Sequence, residues 1–324
     1  MPKEDAMKIV ILDGHSINPG DLSWDALKGL GELTVFDRTP EDVVVLRARG
    51  AEALLVNKVP LTAAALSQLP RLRYIGAMFT GYDEIDVQAA HAQQIVVTNV
   101  PTYATGSVAE LVFSLLFELA RHVGVHDAAV HAGEWSSSPD FSFWKTPLIE
   151  LEGKTMGLIG FGRIGRLVGQ IATALGMRVI AFNRSRKEVP GWPGFRWCEL
   201  NDLLPAADVV SLHCPLTPET SGIINSSALS KMKPSAFLIN TARGPLIVEE
   251  DLARALNEGR LAGAGIDVLS SEPPAANTLL LQAKNCIITP HIGWATKEAR
   301  ARLIQEVASN LRAFLEGHPI NMID

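Results

Sequence analysis

Short β-branched runs alternate with Ala- and Leu-rich stretches from residue 8 onward. Strand candidates fall at 8–13, 33–37, 53–57, 74–78 and 95–99, with helical segments such as 61–69 between them. That βαβ rhythm predicts a parallel sheet covered on both faces. Pro101-Thr102-Tyr103-Ala104-Thr105-Gly106 interrupts it, and a long apolar helix is expected behind the break, over about 107–130. The stretch 131–150 follows without a clear period and carries Gly133, Trp135, Pro139, Phe141, Phe143, Trp144 and Pro147. Its aromatics suggest an arm that packs on a partner subunit.

The rhythm then restarts, with strands expected at 155–160, 178–183, 195–198, 209–214, 237–242, 262–268 and 286–290. A final helix over 297–315 has no sheet of its own left to cover, so it is expected to return to the first domain. The fold class is therefore α/β, with two doubly wound parallel-sheet (Rossmann-like) domains and an active-site cleft between them. Residues 1–103 and 297–324 are assigned to a flavodoxin-like, substrate-binding domain, and 104–296 to a dinucleotide-binding Rossmann domain.

Composition narrows the partners. A chain of 324 residues, 47% hydrophobic and 20% charged, fits a globular protein of two domains. The net charge of -6 has no acidic tail or basic block, which argues against nucleic acid and anionic membranes. No run approaches the roughly 18 apolar residues of a membrane span. Cys198, Cys214 and Cys286 are few and scattered, with no metal-ligand spacing, and Lys3, Glu4 and Asp5 precede an apolar run too short for a signal segment. A reduced, cytoplasmic compartment is expected, and no metal.

Residues 155–165 read Thr-Met-Gly-Leu-Ile-Gly-Phe-Gly-Arg-Ile-Gly, a buried strand running into G-x-G-x-x-G and then a helix over 163–175. Gly160 would make the tight turn, Gly162 would let the backbone approach a pyrophosphate, and Gly165 would let the helix pack closely. Phe161, Arg163 and Ile164 share that loop, whose helix N-terminus offers unpaired N–H groups to phosphate. The second strand ends on Asn183, where NAD-binding folds carry an acidic residue for the ribose. Arg184, Ser185 and Arg186 follow, and Lys187 completes a basic stretch of the right size for one phosphate. NADP(H) is favoured and NAD(H) remains possible; the plainer reading makes these arginines solvated loop charges.

Polar residues also cluster in three stretches expected at strand ends: Asn240-Thr241-Ala242-Arg243-Gly244, Ser271-Glu272-Pro273-Pro274 and Thr289-Pro290-His291-Ile292-Gly293. Ligands of doubly wound sheets sit beyond those carboxyl ends. An arginine there can clamp a carboxylate with two parallel hydrogen bonds. A histidine can pass the proton that accompanies a hydride. A carboxylate on the other ring nitrogen fixes the tautomer and favours the protonated imidazole that reduction needs. Singly, each has a plainer reading: a satisfied loop histidine, a helix-terminal arginine, a surface carboxylate.

Taken together, the stretches give a chain that, from Lys8 to the C-terminal helix, resembles the D-isomer-specific 2-hydroxyacid dehydrogenase family. The resemblance implies that Arg243, Glu272 and His291 are the catalytic residues. Leu22-Ser23-Trp24-Asp25, Asn57-Lys58-Val59-Pro60, Thr80-Gly81-Tyr82-Asp83 and Pro101-Thr102-Tyr103-Ala104-Thr105 look like its glycerate dehydrogenase (hydroxypyruvate reductase) branch. They imply that Phe79-Thr80-Gly81 supplies N–H groups to a substrate carboxylate and that Asn57 or Lys58 lies near the substrate's far end. By the same resemblance Cys214-Pro215 borders the adenine, Thr241-Ala242 approaches the nicotinamide, Gly293 belongs to the cofactor-binding residues, and Asp267 orients the carboxamide, or serves only as a strand-end turn residue. The implied reaction moves a hydride between NAD(P)(H) and a small 2-hydroxy or 2-keto acid such as D-glycerate/hydroxypyruvate or glycolate/glyoxylate; the helix 107–130 and the arm 131–150 look like the surfaces of a homodimer. A dinucleotide-sensing, corepressor-like protein of the same fold is the rival reading, and the lack of basic tails argues for the enzyme.

Overall fold

A computed structural model describes residues 6–82, 84–186 and 189–323, and the chain divides into two compact units, Met1–Ala104 with Trp294–Asp324, and Thr105–Gly293. The first unit holds β1 (Lys8–Ile11), β2 (Glu32–Val35), β3 (Ala53–Val56), β4 (Tyr74–Ala77) and β5 (Val96–Thr98). They form a parallel sheet in the order β2-β1-β3-β4-β5. β3 and β4 are buried at every position, as strands covered on both faces must be, whereas the edge strand β2 alternates exposed and half-buried residues.

The C-terminal helix, Lys297–Leu315, starts where the Thr296 hydroxyl accepts the Ala299 N–H. Its stripe of Leu303, Ile304, Val307, Ala308 and Leu311 has helical spacing and packs with Ile9, Ile11, Leu55 and Tyr74 in one core of the first unit. One charged residue shares that buried face. Arg300 is 8% exposed, and its guanidinium forks onto both oxygens of Asp21 at 2.8 Å while also donating to the Ile17 and Ala295 carbonyls. Every direction in which the cation leaves water is thereby met by an acceptor.

The second unit contains β6 (Thr155–Ile159), β7 (Arg178–Phe182), β8 (Arg196–Trp197), β9 (Val209–Leu212), β10 (Phe237–Asn240), β11 (Gly263–Ile266) and β12 (Cys286–Ile288). Their order is β12-β11-β10-β9-β6-β7-β8, all parallel, so the winding reverses between β6 and β9. The strands end two or so residues before the sequence pattern suggests. Thr241-Ala242, His213-Cys214 and Asp267-Val268 have apolar neighbours like strand residues, yet they leave the ladder to form loops at the sheet's carboxyl edge.

One helix expectation is corrected. The segment 107–130 is two helices, Thr105–Arg121 and Val123–His131, broken at His122, which adopts a left-handed conformation with φ 48°. The first buries Val112, Phe113, Leu115, Leu116, Leu119 and Ala120, and the second buries only Ala129. Apolar periodicity runs across the break because both helices are apolar, and one left-handed residue is invisible to it. The Glu118 carboxylate accepts the Gly124 N–H and helps to start the second helix. Beyond His131 the arm leaves Trp135, Phe141 and Trp144 exposed, with the Trp135 indole donating to the Phe141 carbonyl. Among the described residues no helix is long and apolar enough to cross a membrane, and no group of His, Cys, Asp and Glu could hold a metal ion.

The Arg300 guanidinium holds the Asp21 carboxyl below its ordinary value of 3.8. A depressed carboxylate contributes stability above its unfolded pKa and loses it as pH falls through the folded one. Asp21→Asn is therefore expected to melt below the parent protein at neutral pH, with the gap closing in melts recorded well under pH 3.8. A gap that stays constant with pH would mean the pair contributes nothing through its charge.

Candidate active site

The turn after β6 is built from glycines for steric reasons. Gly160 has φ 96°, and a Cβ there would come within 2.5 Å of the Cys214 nitrogen. A Cβ on Gly165 would sit 2.4 Å from the Gly160 carbonyl oxygen, so the helix Arg163–Ala174 can approach the turn only without one. Nothing lies within 4 Å of the Cβ position of Gly162, which caps that helix. The result is an open face above a helix N-terminus, with Arg163 exposed beside it and Ile164 half-buried. The Thr241 hydroxyl, after β10, is buried and without a partner among the described residues. An open face at a helix N-terminus and an unclaimed buried hydroxyl on the same sheet edge fit a dinucleotide.

Phe161, placed on the cofactor by the sequence, has its ring wholly buried in the core and its N–H donated to Asn183 Oδ1 at 3.2 Å. Asn183 in turn donates from Nδ2 to the Ser185 carbonyl at 2.6 Å. Arg184 and Ser185 are exposed, while Arg186 is engaged by Glu199 at 2.5 Å and Lys187 lies outside the described residues. Cys214 is half-buried, its thiol pushed up by burial, and Pro215 is exposed.

Beneath the turn lies His213, which sequence reading passed over. Its Nε2 is 2.9 Å from the wholly buried Ser211 hydroxyl, and burial pushes the imidazole down to about 3, so it is neutral. A histidine one residue past an apolar strand next to a predicted glycine turn was the available signal.

Arg243, Glu272 and His291 follow β10, β11 and β12, neighbours in the sheet. His291 has φ 54°, and its N–H donates to the carbonyls of Asp267 and Thr289. Its Nδ1 is 2.6 Å from Glu272 Oε2, and Glu272 Oε1 accepts the Leu269 N–H at 3.0 Å. Ring and carboxylate are 28% and 33% exposed, so the pair is held yet accessible. Glu272 on Nδ1 leaves Nε2 as the nitrogen that can exchange a proton with a ligand.

Two buried side chains hold these loops. Asn240, wholly buried, accepts the Ala242 N–H at 3.0 Å and donates to the Arg243 carbonyl at 2.8 Å, folding the turn that presents Arg243. Arg243 itself is half-buried and donates from Nη1 to the Ala242 carbonyl. The next residue, Gly244, touches the Glu272 loop so closely that a Cβ would lie 2.0 Å from the Leu269 carbonyl carbon. Asp267, 2% exposed, accepts from the Thr289 hydroxyl at 2.6 Å and from the N–H groups of Ile292 and Gly293 at 2.9 Å. Burial raises its carboxyl, and those three donors and the nearby His291 oppose the rise. Gly293 is also buried, its carbonyl accepting the Ser107 hydroxyl. In this structure both Asp267 and Gly293 anchor the His291 loop.

In the first unit, Asn57 and Lys58 follow β3, and Phe79, Thr80 and Gly81 follow β4. Asn57 is buried and donates from Nδ2 to the Ser16 hydroxyl at 2.9 Å. The N–H groups of Asn57 and Lys58 both bond to Asp13, a buried carboxylate that sequence reading missed although it follows β1 beside the reversal between β1 and β3. Lys58 Nζ lies 3.4 Å from Glu84 and 5.6 Å from the Phe79 ring centroid. Thr80 donates from its hydroxyl to the Val100 carbonyl, and among the described residues the N–H groups of Thr80 and Gly81 have no partner. Tyr82 is exposed, and Asp83 lies outside the described residues.

Asp267→Ala would leave the Thr289 hydroxyl and the N–H groups of Ile292 and Gly293 without this acceptor, a loss of roughly 1–3 kcal/mol per buried unsatisfied group at most. Urea denaturation should show a lower midpoint for Asp267→Ala and a smaller change for Asp267→Asn, which keeps an acceptor oxygen. An unmoved midpoint would remove Asp267 from this anchoring role.

Comparison with known proteins agrees with this geometry. The model of the D-isomer specific 2-hydroxyacid dehydrogenase NAD binding domain matches residues 113–293. The chain is 48% identical over 321 residues to a hydroxypyruvate reductase of Blautia hydrogenotrophica, covering 98% of this chain and 100% of that protein. It is 41% identical over 321 residues to a glycerate dehydrogenase of Methylorubrum extorquens, covering 98% and 99%. Among solved structures, an acyclic imino acid reductase (Bsp5) in complex with NADPH and D-Arg superposes with a TM-score of 0.84 at 34% identity, covering 98% of this chain and 100% of that one.

Proposed function

This chain belongs to the D-isomer specific 2-hydroxyacid dehydrogenase family, and from that premise we propose that it reduces hydroxypyruvate or glyoxylate by way of Arg243, Glu272 and His291. It is an oxidoreductase of small hydroxy acids that uses a nicotinamide dinucleotide. The observation that carries the residue assignment is the 2.6 Å Glu272–His291 pair, on the same sheet edge as the glycine turn and one strand from Arg243.

A nicotinamide dinucleotide held at the glycine turn and Thr241 would supply a hydride for the substrate's second carbon. Arg243 clamps the substrate carboxylate and, by its charge, stabilises the negative charge that grows on the adjacent oxygen. His291 gives that oxygen a proton from Nε2, and Glu272 keeps the Nδ1 proton in place and balances the imidazolium before transfer. The N–H groups of Thr80 and Gly81, unpartnered among the described residues, are assigned to the substrate carboxylate, and Asn57 or Lys58 to its far end. Thr241 and Ala242 border the nicotinamide in this reading, and Cys214 and Pro215 the adenine.

NADPH is the favoured cofactor. Asn183 puts an amide where a carboxylate would repel a 2′-phosphate, and the exposed Arg184 and Ser185 offer donors to it. The quaternary state we favour is a homodimer, because Val123, Val125, Val130, Phe141 and Trp144 expose a run of apolar surface on consecutive segments.

Steady-state kinetics with each keto acid and each cofactor tests the reading. His291→Ala should lower kcat about 10²–10⁴-fold, and Arg243→Ala should lower kcat/KM by about 10²–10³-fold, with dinucleotide affinity retained in both. Full turnover by either folded variant would dismiss these roles. Arg184→Ala should raise the KM for NADPH about tenfold and spare NADH, and Trp144→Glu should yield monomers by analytical ultracentrifugation.

A further inference from the structure

We infer that Trp192 is a positioning residue for dinucleotide selectivity, holding the loop after β7 in register with the glycine turn. The inference rests on reading Asn183–Ser185 as the ribose end of the cofactor site.

Beyond the two Asn183 hydrogen bonds, the Arg186–Glu199 pair and the buried Pro190, the loop has little to fix it. Arg184, Ser185, Arg186, Val189, Gly191, Pro193 and Gly194 are exposed, and Lys187 and Glu188 lie outside the described residues. A segment with so few buried groups holds its place weakly unless one residue anchors it. Trp192 enters a ring cluster with Phe161, Phe195 and Trp197. Its centroid is 5.8 Å from Phe161 at 67° and 5.8 Å from Phe195 at 86°, and Trp197 meets Phe161 at 5.1 Å and 79°. These edge-to-face geometries are the ones ring quadrupoles favour, so the rings set direction as well as burial.

Phe161 lies between Gly160 and Gly162 of the glycine turn, and it is joined to the loop twice. Its N–H reaches Asn183, whose amide holds Ser185, and its ring receives Trp192. Trp192 also lies on the glycine-turn helix, where a Cβ on Gly169 would come 2.6 Å from its ring. One indole therefore ties together the backbone that binds phosphate, the helix behind it and the loop that carries Arg184. The nicotinamide end, after β10, takes no part in the cluster.

Isothermal titration of full-length Trp192→Ala and Trp192→Phe with NADPH, NADH and adenosine 2′,5′-bisphosphate tests the inference. Trp192→Ala should weaken NADPH and the bisphosphate about tenfold and NADH much less. Trp192→Phe should recover most of that loss, and kcat at saturating cofactor should stay near the parent value. Gly169→Ala pushes a methyl against the same ring while keeping every aromatic, so it should shift the NADPH-to-NADH affinity ratio the same way even if Trp192→Ala fails to fold. Equal weakening of both dinucleotides, or a lower melting temperature with the ratio unmoved, overturns the inference. A parent protein that binds NADH more tightly than NADPH defeats the NADPH assignment instead, and Trp192 is then judged by whether the ratio still moves.

Discussion

Parallel pairing sends the carboxyl ends of all strands to one edge, where the chain must leave the ladder without abandoning its buried backbone groups. In the second unit that obligation falls on Asn240 and Asp267. Asn240 accepts from Ala242 and donates to Arg243, and Asp267 accepts from Thr289, Ile292 and Gly293. The groups that satisfy the backbone are thus the groups that aim Arg243 and His291. The placement of both side chains follows from meeting the hydrogen-bond requirements of a sheet edge.

Close backbone contact makes the arrangement stiff. Gly160 and Gly165 allow strand, turn and helix to meet at distances no side chain would permit, and Gly244 brings the Arg243 turn onto the carbonyl of Leu269, two bonds' reach from the Glu272 anchor. Electrostatics follow from the same burial. His213, desolvated beneath the glycine turn, stays neutral, so the positive potential there comes from the helix N-terminus and Arg163.

Aromatic residues serve opposite ends in two places. Around Phe161 they close on one another beside the loop after β7. Along the arm, Phe141 and Trp144 stand exposed.

The order of elements, the glycine turn and the three polar stretches were legible in the sequence because each is a local signal: periodicity, a fixed spacing, a polar residue in an apolar setting. Asn183 could be read as a missing carboxylate for the same reason. The break at His122, the anchoring of the His291 loop by Asp267 and Gly293, the burial of Phe161 and the capture of Arg186 by Glu199 were not. Each depends on a partner distant in the chain or on a single backbone angle, which no local pattern encodes. Sequence alone determined which chemical groups are available and in what order they emerge from the sheet. Only the tertiary structure decided which of them are spent holding loops and which remain free to meet a ligand, because a hydrogen bond's partner is chosen by proximity in space.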